Sequence, residues 1–347
     1  MGRKVMIAMS GGVDSSVTAW LLLRQGYDCV GLTMRQRDET ADIHDAADVA
    51  RRLGIPHTVA DLRGVFREHV IAPFVRSYER GDTPNPCVTC NRYLKFGTLL
   101  DIARDMGADY IATGHYARIC WTPSVSRWAV RKGLEAARDQ SYVLACLTQA
   151  QLSRTLFPLG RLTKAETRQI AAEQGFVNAH KHDSQDICFI PDGDYAGFLE
   201  RYTGKTYPPG DILDTDGHVL GVHRGAVRYT PGQRKGLGVS APTPLYVCGK
   251  SMSDNTVTLG TNEMLFRREL VSDDWTWGAI PPPDTPFRAC AKIRYHHTEA
   301  PADVSPSPDG TVTIRFDAPQ RAITTGQAVV LYHNDTVLGG GTITAVI

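Results

Sequence analysis

No run of about eighteen apolar residues occurs in the 347-residue chain, which excludes a membrane-spanning helix. Neither sign of charge is in excess: 38 Lys and Arg stand against 37 Asp and Glu, a formal net charge of +1. Composition therefore announces no large nucleic-acid partner, and any such contact must rest on local patches. Eight cysteines are too sparse for a disulfide scaffold. No second Cys-x-x-Cys and no His-x-x-x-His accompanies Cys87 and Cys90, so a four-ligand structural zinc site is excluded. The opening MGRKVMIAMSGG has no signal-peptide stretch, and Met6 stands where a myristoylation motif needs Ser or Thr. Internal repeats and low-complexity segments are absent. The expectation is a soluble, cytoplasmic protein without membrane partners, long enough for two or three domains.

What is present first is alternation. KVMIAM (4–9) reads as a buried strand, DSSVTAWLLLRQG (14–26) as a helix closed by Gly26, YDCVGLTM (27–34) as the next strand and DIHDAADVARRLG (42–54) as the next helix. LKFGTLLDIARDMG (94–107) has helical spacing, ADYIAT (108–113) is strand-like, and Thr163 with Glu166 forms a capping box ahead of a helix over 163–175. Such alternation predicts an α/β domain, a doubly wound, mostly parallel sheet with helices on both faces. After about residue 200, Pro and Gly become frequent and helical periodicity fades. In RACAKIRY (288–295), Arg288, Lys292 and Arg294 alternate with Ala289, Ala291, Ile293 and Tyr295. TVTIRF (311–316) and QAVVLY (327–332) behave alike, and several such strands predict a small β-barrel. The expected division is 1–200, a small central mainly-β domain over 201–266, and a C-terminal barrel over 267–347.

The segment MSGGVDSS (9–16) joins the first strand to the first helix. In an open α/β sheet that junction is where ligands bind. Gly11 and Gly12 permit close backbone approach, and Ser10, Ser15, Ser16 and the helix N-terminus can donate to phosphate oxygens. The GK[ST] ending of a Walker A loop and the Rossmann spacing are both missing. Asp14 is out of place beside phosphate unless it helps hold a magnesium ion carried by the nucleotide. The string SGGxDSS resembles the PP-loop of ATP pyrophosphatases, which cleave between the α- and β-phosphates and leave AMP on a substrate. Met34, ending the second strand, and Gly114, ending ADYIAT, should face the same crevice as adenine and ribose neighbours. His115 is either a surface or capping histidine or a member of that crevice.

Cys87 and Cys90 precede the helical run 94–107, and a thiol near a helix N-terminus has its pKa lowered. Cys188 lies in the polar DSQDICFIPDG; the other cysteines sit in apolar or alternating runs and read as packing residues. A thioredoxin-like redox pair leaves the pyrophosphatase loop unexplained. Sulfur transfer accounts for both: ATP turns a carbonyl oxygen into a leaving group, a cysteine persulfide delivers sulfur, and a second thiol resolves it.

TPNPCVTCNRYLKFGTLLDIARDMGADYIATGHYAR, DSQDICFI and TPGQRKGLG, in this order along essentially the whole chain, resemble the tRNA-specific 2-thiouridylase family. The resemblance implies an adenine nucleotide α-hydrolase-like PP-loop domain, a central domain and a tRNA-facing C-terminal barrel. It implies ATP-dependent 2-thiolation of the wobble uridine of tRNAs for Lys, Glu and Gln. By the same resemblance, Cys90 is the first catalytic thiol, Cys188 carries the persulfide, and the two form a disulfide in turnover. ATP would be held by Ala8, Met9, Ser10, Gly11, Gly12, Val13, Asp14, Ser15, Met34 and Gly114. Asn85, Pro86 and Cys87 would meet the flipped base. Arg138, Asp139, Gln140, His115, Arg294, Tyr295 and Gln327 would meet tRNA. Implied partners are tRNA and a persulfide donor, either a sulfur-relay protein or a cysteine desulfurase.

Many relatives carry Asp where this chain has Cys87, and that Asp is assigned acid–base work. Two routes stay open: a persulfide mechanism, or a 4Fe–4S cluster on Cys87, Cys90 and Cys188 with one open iron. A PP-loop ligase forming amides from small carboxylates, and a non-catalytic RNA-binding protein, are the further alternatives. The basic run around Arg224, Arg228, Arg234 and Lys235 fits a solvated turn region as well as phosphate contact.

Overall fold

The computed structural model describes residues 2–179, 181 and 187–347. Its first sheet is parallel, with strand order β3-β2-β1-β4-β7: β1 Lys4–Ala8, β2 Asp28–Arg35, β3 His57–Asp61, β4 Tyr110–Ala112 and β7 Thr155–Leu156. Successive side chains of β1 feed opposite cores. Val5 and Ile7 pack with Val17 and Leu22 of helix Val13–Arg24 and Val49 of helix Ala41–Leu53. Met6 packs on the other face with Leu32, Leu99 and Leu100. Each such side chain contributes roughly 1.5–3 kcal/mol by leaving water, and burial on both faces explains why β1 is unbroken apolar sequence. Strand order reverses at β1, which has β2 on one side and β4 on the other. A crevice therefore opens at the carboxyl ends of β1 and β4.

Helix ends follow the local sequence. Gly54 adopts a left-handed conformation after Leu53, and the Thr163–Glu166 capping box opens helix Lys164–Glu173. The run expected at 94–107 begins earlier, at Pro86, and its middle is unusual. Pro86–Thr89 and Leu99–Asp105 are α-helical, whereas Cys90–Thr98 is π-helical. Both cysteines thus lie inside the helical run rather than ahead of it. Gly97 belongs to this wide segment, where a Cβ would stand 3.2 Å from the Arg92 carbonyl oxygen.

The central sheet, β10-β11-β8-β9, comprises β8 Gly210–Leu213, β9 Val219–His223, β10 Tyr246–Ser251 and β11 Thr256–Gly260. It is built on Ile212, Val247, Val257 and Leu259. The C-terminal barrel is antiparallel and closed: β12 Phe266–Trp277, β15 Val312–Arg321, β14 Ala300–Pro306, β13 Phe287–Lys292, β16 Ala328–His333 and β17 Thr336–Val346, with β17 returning to β12. Closure leaves no free sheet edge. A hairpin of the first domain, β5 Ala117–Thr122 with β6 Arg127–Lys132, extends the barrel sheet through Thr336 opposite Arg131. One core runs from Met6 and Tyr142 into Val330, Tyr332 and Val337 of the barrel. No helix among the described residues is long and apolar enough to cross a membrane.

Candidate active site

The glycine-rich loop is fixed before any ligand arrives. Gly11 has φ +70°, and a Cβ there would stand 2.3 Å from the Asp42 carbonyl oxygen, so only glycine serves. The hydroxyls of Ser15 and Ser16 donate to the Gly12 carbonyl at 2.9 and 3.1 Å. Buried Asn178 donates to the Gly11 carbonyl and Ser16 Oγ, both at 3.0 Å. Gly114, at the end of β4, lies so close that an added Cβ would meet the Asp14 carbonyl carbon and Cβ at 2.9 Å and Ser15 N at 3.0 Å.

Over this loop lies a cavity of about 720 Å³. Ala8, Met9, Ser10, Gly12, Val13, Asp14 and Ser15 line one side, with Met34, Gly114 and His115 beside them. Arg138, Gln140, Tyr295 and Cys188 line the rest. Most of the residues expected at the nucleotide and tRNA sites therefore share one space between the first domain and the barrel.

Asp14 is held by groups the sequence did not announce. Lys164 Nζ reaches both carboxylate oxygens at 2.8 Å and Tyr116 OH donates to Oδ1 at 2.8 Å. Lys164 is almost fully buried. It occupies the first position of its helix, the end whose dipole disfavours a cation; that misplacement is the signal by which the sequence could have given it away. Asn178 carried no such signal. Lys181, also on the cavity wall, bridges Asp42 and Asp45 at 2.6 and 2.8 Å.

His115 is buried, with Nδ1 2.6 Å from Thr113 Oγ1. Burial, aided by the charge of Lys95, pushes its pKa well below the ordinary histidine value. At neutral pH it presents a neutral ring, able to hydrogen-bond but not to pair with phosphate as a cation.

The thiols depart from expectation. Asn85 caps the short helix, its Oδ1 accepting from Cys87 N at 3.1 Å; the Cys87 residue is exposed, yet desolvation of its thiol outweighs the pull of Lys95 and raises its pKa. Burial pushes Cys90 up to about 11, against the opposing pull of Lys95. Cys188 is raised by burial and by Cys87, with Lys95 and Arg37 acting the other way. Cys87 and Cys188 are both among the minor charges that raise the Cys90 thiol, and all three are free thiols. Cys90 itself is buried, and its Sγ accepts from Gln36 Nε2 at 3.9 Å; Gln36 lines the cavity. Pro86 is buried and does not line the cavity. Asp183–Asp186, the first part of the Cys188 motif, lie outside the described residues.

Other expected contacts are engaged inside the protein. Asp139 is buried and accepts from Gly133 N at 2.9 Å, Ser141 N at 3.1 Å and Ser141 Oγ at 2.7 Å, so it shapes the turn that presents Arg138 and Gln140. Gln140 Oε1 accepts from Tyr116 N at 2.8 Å. Arg294 donates to the Ala322 carbonyl, and Gln327 donates to the Thr83 carbonyl at 2.6 Å, tying the barrel to the segment before Asn85. Arg288 pairs with Asp303 and Asp317, which removes it from the expected basic face.

Comparison with known proteins agrees with this architecture. The family profile described as "tRNA methyl transferase HUP domain" matches residues 3–192, a "PRC-barrel domain" profile of the same series matches 196–261, and an "Aminomethyltransferase beta-barrel domain" profile matches 267–343. The tRNA-specific 2-thiouridylase MnmA of Heliobacterium modesticaldum is 49% identical over 99% of this chain and 93% of its own. That of Clostridioides difficile is 45% identical over 99% and 98%. Among solved structures, a 4-thiouridine synthetase–RNA complex with bound ATP aligns at TM-score 0.36 and 18% identity, over 55% of this chain and 45% of that one. The full-length relatives decide the matter: the chain belongs to the tRNA-specific 2-thiouridylase family.

Proposed function

We propose that this protein is an ATP-dependent, cytoplasmic sulfurtransferase that makes 2-thiouridine at the wobble position of tRNAs of the Lys, Glu and Gln types. The observation that carries the reading is that the pyrophosphatase-type loop and Cys188 open on one cavity. ATP lies along Ala8–Ser15 with Met34 and Gly114 at the nucleoside. Magnesium carried by the nucleotide would screen the pyrophosphate charge; Asp14, the carboxylate of the loop, could hold it only by exchanging its contact with Lys164, which otherwise occupies both carboxylate oxygens. The barrel and the Arg138 turn face tRNA, and the target uridine enters beside Asn85, Pro86 and Cys87.

The chemistry balances as follows. The uracil C2 oxygen attacks the α-phosphorus, pyrophosphate leaves and N3 releases its proton. The terminal sulfur of a Cys188 persulfide then bonds to C2, and the C2–O bond breaks with its electron pair leaving on AMP. Cys90, as thiolate, next bonds to the Cys188 sulfur. The persulfide S–S bond breaks, its electrons return to the sulfur on C2, and N3 regains a proton as the thiocarbonyl forms. The products are 2-thiouridine, AMP and a Cys90–Cys188 disulfide.

Burial raises the pKa of all three thiols, and the partly buried Lys95 is the one cation common to their surroundings. The persulfide route needs no metal, and iron and sulfide analysis after anaerobic purification should find no cluster in stoichiometric amount; a stoichiometric cluster required for turnover would reject that route. The deciding experiment is mass spectrometry of tRNA nucleosides after incubation with ATP, magnesium and a persulfide donor. Formation of 2-thiouridine supports the reading; its absence, with an active control enzyme, rejects it.

A further inference from the structure

The helical run that carries both thiols changes pitch where the chemistry is placed. Cys90–Thr98 is π-helical, a form in which residue i bonds to residue i+5 and which is concentrated at functional sites. Cys90 and Lys95 are five apart, the spacing of the π-helical bond, so the widened turn brings the two nearer to one face of the helix. In an α-helix, at about 100° per residue, they would point about 140° apart. Lys95 lies on the wall of the cavity shared by the glycine-rich loop and Cys188. Several other cations of that wall face carboxylates: Lys164 faces Asp14, Lys181 faces Asp42 and Asp45, and Arg37 faces Glu39. Among the described residues no carboxylate pairs with Lys95. Its charge acts instead on Cys87, Cys90 and Cys188 and on the ring of His115.

We propose that Lys95, carried with Cys90 on the π-helical segment and facing the cavity, is the electrostatic positioning residue of the sulfur-transfer step, stabilising the sulfur anions formed between Cys188, Cys90 and the uracil C2. This rests on the thiolation reading above. Each stage of that transfer places a negative charge on a sulfur at or beside buried Cys90, where a fixed cation is most effective. Adenylation develops its charge on phosphate, at the loop and Lys164, so the two cations serve different steps.

The test separates the steps in a single turnover of the full-length enzyme with tRNA, ATP and a persulfide donor. Lys95→Met should lower 2-thiouridine formation about a hundredfold while pyrophosphate release stays within about threefold of wild type. Lys95→Arg, which keeps the charge, should restore thiolation to within about tenfold. Equal losses of pyrophosphate release and thiolation would assign Lys95 to the nucleotide and overturn the proposal. Undiminished thiolation by Lys95→Met would overturn it as well, as would failure of Lys95→Arg accompanied by a lowered melting temperature, which marks a packing role. A wild-type enzyme that makes no 2-thiouridine rejects the functional reading itself, so the two failures are distinguishable.

Discussion

Substituting Gly114 by Ala tests the tight seating of the nucleotide loop. The new methyl would stand 2.9 Å from two atoms of Asp14 and 3.0 Å from Ser15 N, where ordinary contact begins near 3.4 Å. Nothing at that position demands a left-handed backbone, so the effect is steric displacement alone. The loop must retreat by roughly 0.5 Å, and the lost fit should weaken nucleotide binding about tenfold to a hundredfold, about 1.4–2.7 kcal/mol. Overpacking adds about 1–3 kcal/mol of lost stability. Gly249→Ala, in a central-domain strand where a Cβ meets nothing within 4 Å, is the matched control. Titration calorimetry with ATP should show a Kd raised about tenfold to a hundredfold for the first variant and unchanged for the second. Equal affinity in both would refute the claim that β4 buttresses the loop.

Other substitutions separate roles that the sequence merges. Lys164→Met strands Asp14 with only Tyr116; because Asp14 is one-third exposed, the stability loss should be about 1–3 kcal/mol by denaturant titration, with pyrophosphate release reduced. Asp139→Asn should cost about 2–3 kcal/mol by denaturant titration through its three hydrogen bonds, and an unchanged stability would show that they do not hold the turn. Burial, then Asp28, raises Cys29 from an ordinary value of 9.0 to about 11. The folded state thus favours the neutral thiol, and its contribution is full below pH 9 and is lost as pH rises through about 11. Melting curves between those pH values should fall less steeply for Cys29→Ala, and identical slopes would discount that thiol.

The parallel domain was legible because its strands are unbroken apolar runs separated by capped helices. The barrel showed through alternation. What escaped notice was the hairpin 117–132, whose own alternation, with Trp121 opposite Trp128, was hidden within a βα pattern. The site was readable where chemistry is local, in the Ser-Gly-Gly loop and the cysteines. It was opaque where side chains meet from distant segments, as Lys164 and Asn178 do. The helix-terminus argument for acidic thiols failed because burial, which one-dimensional sequence does not display, is the larger effect. The π-helix is hidden for the same reason: residues five apart carry no periodic signal.

In the proposed reaction one catalytic event joins the nucleotide loop and the thiols. Peptide mapping by mass spectrometry after a single turnover, without reductant, measures this directly. A Cys90–Cys188 disulfide accumulating mole for mole with 2-thiouridine and AMP is the predicted result. Thiolated tRNA appearing while both cysteines remain free thiols would contradict it.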